Sequence, residues 1–224
     1  MKRIIGIIVL FGCLLTGCTK GYGPPKEGGP GEYTNGGGPV QRNHTAIVTV
    51  KQDEAGLVFL QLDDNLCLYP RNYPEPFIRE CRIICELSWW EGATRCEMGW
   101  MDYLQEGPVQ SEPLAAGDGV DIIPDWMTSV EDGYLTLHYS TLWGYGQVPH
   151  SLILVTGENP EDPYEVRLVH LNNGDPALEK ADALVYFDLS SLPPTGGSTQ
   201  TLTLKWKNSA GQTDSRTYLF RSRQ

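Results

Sequence analysis

"YLTLHYS" (134–140) places Leu135, Leu137 and Tyr139 on one face of an extended chain and Tyr134, Thr136 and His138 on the other. A strand turns successive side chains to opposite faces, so this period of two predicts one wall of a half-buried sheet. "TLTLKWK" (201–207) repeats the pattern, with Leu202, Leu204 and Trp206 inward and Lys205 and Lys207 outward. Around these two runs lie "VDII" (120–123), "HSLILVT" (150–156), "YEVRLVH" (164–170), "ALVYFDL" (183–189) and "RTYLFRS" (216–222). Seven strands with turn signals between them, in about a hundred residues, predict an immunoglobulin-like two-sheet β-sandwich over residues 116–224.

Upstream, the same reading gives five shorter strands: "TAIVTVK" (45–51), "LVFLQL" (57–62), "LCLYP" (66–70), "CRIICELSWW" (81–90) and "TRCEMGWMDY" (94–103). A tight turn at Asp63-Asp64-Asn65 and a Pro-rich loop, "RNYPEPF", separate them. About sixty residues of this kind suit a small OB-like β-barrel, assigned here to residues 44–110. Residues 105–119, rich in Gly and Pro and without a period, are expected to connect the two domains. No stretch carries a helix-length amphipathic pattern, so the fold class is all-β: a small OB-like barrel followed by a β-sandwich.

The first residues belong to another kind of segment. Lys2 and Arg3 precede an apolar run from Ile4 to Leu15. At roughly 1.5 Å per residue the run reaches only about 18 Å, against roughly 30 Å of hydrocarbon. It reads as a signal peptide, residues 1–17. Leu15-Thr16-Gly17-Cys18 then resembles a bacterial lipobox, which makes Cys18 the expected lipidation site. Acyl chains contribute about 0.8 kcal/mol per buried methylene, enough for firm membrane attachment when two or three are present. Residues 18–43, broken by Pro24-Pro25, Gly28-Gly29-Pro30 and Gly36-Gly37-Gly38-Pro39, read as a lipidated tether with a reach on the order of 25 Å. Thr19 and Lys20 follow the cysteine with no acidic run, which favours a periplasm-facing protein in a Gram-negative cell envelope.

Removal of residues 1–17 takes two positive charges with it, so the formal charge moves from −11 to −13. A chain this acidic is repelled by phosphate backbones, and nucleic acid is not an expected partner. Cys67, Cys81, Cys85 and Cys96 remain in an oxidising compartment, where two disulfides are expected, with three possible connectivities. A hairpin turning at Glu91-Gly92 brings Cys85 nearly opposite Cys96, which selects Cys85–Cys96 and leaves Cys67–Cys81. A four-cysteine zinc site is the rival, although the paired short spacing of such sites occurs once.

No nucleophile elbow, HExxH, Walker loop, EF-hand loop or dinucleotide fingerprint occurs in the chain. No catalytic residue, cofactor or metal is therefore assigned. His138 and His170 fall on expected strands with no third ligand in view, and Glu158, Glu161 and Asp162 read as a solvated turn. Aromatic residues are the better lead. In the loop "TLWGYGQVP" (141–149), Trp143 and Tyr145 are the candidate binding residues, able to stack on a sugar ring or to anchor a protein partner.

The order of pieces, with "VFLQLDDNLCLYPRNY" (58–73), "DIIPDWMTSVEDGYLTLHYS" (121–140), "VRLVHLNNGDP" (166–176) and "ALVYFDLSSL" (183–192), resembles the NigD-like lipoproteins. That resemblance implies a lipobox, an N-terminal OB-like domain, a C-terminal β-sandwich and no established enzymatic activity. The family takes its name from a bacteriocin gene cluster, where an immunity role was proposed. The four cysteines are not part of its pattern. The expectation is a non-catalytic, membrane-anchored envelope protein that binds a protein partner, the alternative being glycan capture.

Overall fold

The computed structural model describes residues 40–62, 66–145 and 148–223. The signal peptide, Cys18, the tether up to residue 39 and the turn at 63–65 lie outside the described residues.

Five strands close into a barrel: β1 (Gln41–Gln52), β2 (Val58–Gln61), β3 (Cys67–Pro70), β4 (Cys81–Trp90) and β5 (Arg95–Tyr103). They run in the order β1-β2-β3-β5-β4, with β4 returning to pair with β1, and β3 lies parallel to β5. This is the OB-type topology. Closure follows from the length of β1, whose register runs from Gln41 opposite Trp90 to Gln52 opposite Val58, so that one strand serves both neighbours. The barrel thus starts at Gln41, within the stretch read as tether. Val48, Val50, Leu60, Leu68, Ile83 and Leu87 fill its interior.

Two five-stranded sheets form the sandwich. One contains β6 (Gln105–Glu106), β13 (Glu179–Asp188), β10 (Tyr134–Trp143), β8 (Asp121–Ile122) and β9 (Ser129–Glu131). The other contains β15 (Thr213–Phe220), β14 (Gln200–Lys207), β12 (Glu165–Leu171), β11 (Ser151–Thr156) and β7 (Val109–Gln110). Leu135, Leu137 and Tyr139 meet Leu202, Leu204 and Trp206 in the core, as their alternation predicts. The stretch expected as a connection instead belongs to the sandwich, because β6 pairs with β13 in one sheet and β7 with β11 in the other. Gly107 makes that crossing possible: a Cβ there would lie 2.2 Å from the Phe187 ring.

The other face of β10 is also buried. Tyr134 packs under the barrel and His138 is closed over by Asp125 and Asp182, with both ring nitrogens 2.7 Å from a carboxylate oxygen. Two-residue turns that need positive φ at both positions favour Asp-Gly. Asp132 (φ 51°) and Gly133 (φ 73°) make such a turn between β9 and β10. That turn is where the barrel docks. Lys51 of β1 pairs with Asp132 at 2.7 Å, and the buried Arg82 of β4 donates to Thr49 Oγ1 (3.2 Å) and to the Glu131 carbonyl (3.4 Å). Tyr134 donates to Glu80 of the barrel at 2.6 Å. Arg223 binds the same carboxylate and reaches Asp188 at 3.2 Å.

Candidate functional site: a groove across the barrel face

Leu60 and Leu68 point into the barrel and stand opposite each other on β2 and β3. The alternation therefore turns Phe59 and Tyr69 outward, where their rings lie 5.9 Å apart. The parallel pairing of β3 with β5 sets Tyr69 beside Arg95 and Pro70 beside Cys96. After β3 the chain crosses the barrel wall. Asn72 pins that crossing, its amide donating to the Met98 carbonyl at 2.8 Å and accepting from the Met98 N–H at 2.9 Å. Tyr73 and Phe77 then pack partly against the core.

The result is a hollow of about 510 Å³ walled by Leu57, Tyr69, Tyr73 and Phe77, with Gln52 and Glu75 at its margin. A second hollow, about 170 Å³, lies alongside between Gln41, Trp89, Trp90 and Glu97. Arg71 and Arg95 line both and so stand on the divide between them. Arg71 reaches Glu97 at 3.7 Å, whereas the Arg95 side chain has no hydrogen bond, ion pair or ring contact among the described residues. Tyr69 donates to Asp53 at 3.3 Å, and the same carboxylate closes the β1–β2 turn by accepting from the Ala55 and Leu57 N–H groups. Burial, then the bond to Asp53, pushes the Tyr69 phenol up, and burial does the same for Tyr73. Both hydroxyls stay protonated donors at neutral pH. The groove therefore offers aromatic faces, planar polar side chains and one free guanidinium.

The structure places the sequence-derived candidates elsewhere and separates them. Trp143 is half-buried, stacks on His150 with centroids 4.1 Å apart, and donates its indole N–H to the Ala181 carbonyl at 3.2 Å. Tyr145 stands clear at 83% exposure. Beneath them runs a buried polar chain. His170 donates through Nδ1 to the Gly119 carbonyl (3.1 Å), which leaves its Nε2 to accept from His150 Nδ1 at 2.9 Å. His150 Nε2 then faces Asp175 Oδ2 at 3.2 Å, and that oxygen also accepts from the Gly144 N–H at 2.6 Å. Burial, with a smaller contribution from His150, pulls the His170 pKa down from its usual value, against the pull of Gly119 and Asp118. Trp143 thus belongs to the packing of this chain of groups.

The expected disulfides are corrected. Cys67, Cys81, Cys85 and Cys96 are all free thiols. The turn does fall at Glu91-Gly92, with Ala93 N–H donating to the Trp90 carbonyl, but the ladder sets Cys96 opposite Trp89 and a bulge follows between Cys85 and Leu87. Cys85 thereby faces Met101 of β5, while Cys96 pairs four residues further along β4 at Trp89, so the two thiols are not cross-strand partners. Cys67 and Cys81 sit on β3 and β4, which are not neighbours in the barrel. Among the described residues no group of three or more His, Cys, Asp and Glu is arranged to hold a metal ion.

Tyr69, Arg71, Tyr73 and Arg95 were not singled out by the sequence. For Tyr69 the signal is its outward phase in "LCLYP", and it gains meaning only when β3 is seen to lie beside β5.

Barrel and sandwich together define an all-β protein with an open groove on the β2–β3 face. The NigD-like C-terminal beta sandwich domain matches residues 104–220, just over half of the chain, and the chain belongs to the NigD-like family. Solved structures share the architecture. A candidate toxin-related protein from Parabacteroides distasonis aligns over 81% of this chain and 94% of its own, with a TM-score of 0.67 at 24% identity. A NigD-like immunity protein from Bacteroides caccae covers 77% of this chain and 91% of its own (TM-score 0.55, 19% identity). For a candidate lipoprotein from Bacteroides fragilis the shares are 80% and 97% (TM-score 0.50, 11% identity). At these identities the likeness speaks for the fold. Comparison with curated proteins gives no match.

Proposed function

We propose that the chain is a lipid-anchored, non-catalytic protein of a Gram-negative cell envelope, attached through Cys18, facing the periplasm, and capturing an oligosaccharide in the barrel groove. The carrying observation is the groove itself: Tyr69, Tyr73 and Phe77 beside Gln52, Arg71 and Arg95 on the β2–β3 face. In OB barrels that face takes oligonucleotides or oligosaccharides, and the formal charge of −11 opposes the former. The barrel closes on itself, with β1 before Thr49 and β5 beyond Cys96 paired to β4 alone, and the groove presents side chains. The lipobox-like LTGC and the neighbour named as a candidate lipoprotein support the anchor. The test is a glycan array probed with the protein and with a Tyr69→Ala/Tyr73→Ala variant; a captured glycan must be lost by the variant and released unhydrolysed.

A protein partner is the second reading. It is favoured by Ile78 (87% exposed), Trp100 and Tyr103 standing uncovered on the barrel, and by the neighbour named as an immunity protein. Cross-linking from intact cells, lost on substitution of Ile78 and Trp100, would support it.

A further inference from the structure

We infer that the groove is built for an acidic oligosaccharide, one carrying a carboxylate on its sugar ring, and that Arg95 is the residue that holds the carboxylate. This rests on the capture reading above and adds the ligand's charge and the residue that reads it.

The chain has 28 acidic side chains and 17 basic ones, so a basic group readily finds a partner. Among the described residues Arg95 is the one basic side chain with no hydrogen bond, ion pair or ring contact. A carboxylate lies close at hand: Glu97, two residues on and on the same outward face, is engaged by Arg71 at 3.7 Å instead. Arg95 is therefore left facing the groove, on the divide between the hollows of about 510 and 170 Å³. A ligand crossing that divide extends to both sides of the guanidinium, as a short oligomer would.

Tyr69 is the cross-strand partner of Arg95, and paired strands lie about 4.8 Å apart. A sugar ring stacked on the Tyr69 face brings its own substituents to the guanidinium. The planar fork of arginine matches a planar carboxylate with two parallel hydrogen bonds. One free positive charge, with Glu75 and Glu97 at the groove margins, suits a single carboxylate in the bound stretch, the other rings being neutral. A phosphate or a polyanion would meet those two carboxylates and the negative field of the whole chain.

The experiment uses the full chain purified in detergent and isothermal titration with neutral tetrasaccharides in which a single ring is galacturonate, mannuronate or glucuronate, each beside its carboxyl-reduced counterpart. Arg95→Gln is the test variant; Arg95 is exposed and its side chain makes no hydrogen bond, ion pair or ring contact among the described residues, so the fold is expected to be retained. Arg216→Gln, remote on β15, is the control. The inference expects at least one uronate to bind about tenfold or more tighter than its reduced form, a margin erased by Arg95→Gln and kept by Arg216→Gln. Equal binding of acidic and reduced forms, or a margin that survives Arg95→Gln, overturns the inference and leaves capture standing. No binding by any acidic or neutral oligosaccharide overturns both. A glutamate-rich peptide that binds as tightly as the best uronate, and depends on Arg95, overturns the sugar in favour of a protein ligand.

Discussion

The guanidinium of Arg223 lies 3.9 Å from the ring centroid of Tyr134, and the Tyr134 hydroxyl and that guanidinium both bind Glu80 of the barrel. One carboxylate from the barrel thus closes a cation–π pair made by the start of β10 and the C-terminal tail. Glu80→Ala leaves the half-buried Tyr134 phenol without its acceptor and Arg223 with Asp188 alone, a cost of about 1–3 kcal/mol. The expected result is a melting temperature lower by several degrees, roughly 2–4 °C for each kcal/mol lost in a domain of this size. Glu80→Gln, which keeps an acceptor, should cost less; calorimetry checks both.

The free cysteines give a chemical prediction. Burial pushes the Cys85 thiol up to about 12 and the Cys96 thiol to about 11. Thiolate is the reactive form, so both should resist a thiol reagent in the native protein while the exposed Cys67 reacts. All four should titrate after denaturation without reductant. Fewer would mean that disulfides have formed.

His170 makes stability depend on pH in a set direction. Its folded pKa lies below the ordinary value of 6.5 because of burial. The unfolded chain therefore binds more protons below that pH, and the contribution is whole above about 6.5 and lost as pH falls toward the folded pKa. Melting temperatures between pH 7.5 and 5 should fall less steeply for His170→Gln, whose amide can still donate to the Gly119 carbonyl. Identical slopes would remove His170 from the account.

Trp143 and Tyr145 should part company on substitution. Trp143→Ala opens a gap over His150 and should cost about 2–3 kcal/mol. Tyr145→Ala, at 83% exposure, should stay within about 0.5 kcal/mol of wild type in denaturant unfolding.

Most of the sandwich was legible because its strands alternate. "YLTLHYS" and "TLTLKWK" place Leu135, Leu137, Leu202 and Leu204 in one core, and a local period suffices to see that. The two-residue strands β6 and β7 were not legible, since no period fits in two residues; their role comes from pairing with β13 and β11 far along the chain. The cysteine pairing failed for a related reason. A turn can be read from Glu91-Gly92, but the register beyond it is set by a bulge at Cys85/Leu87 that no residue in the stretch announces. The groove is the same problem at larger scale. Tyr69 and Arg95 meet only through a parallel pairing of two strands separated by β4, so the outward phase of each could be read while their meeting could not.

The most direct test of the central claim is a glycan array probed in parallel with the wild-type chain, the Tyr69→Ala/Tyr73→Ala variant and the Tyr145→Ala variant. The account predicts a glycan held by wild type and by Tyr145→Ala and released by the barrel variant. Capture that persists without both barrel tyrosines, or no glycan held by any form, would contradict it.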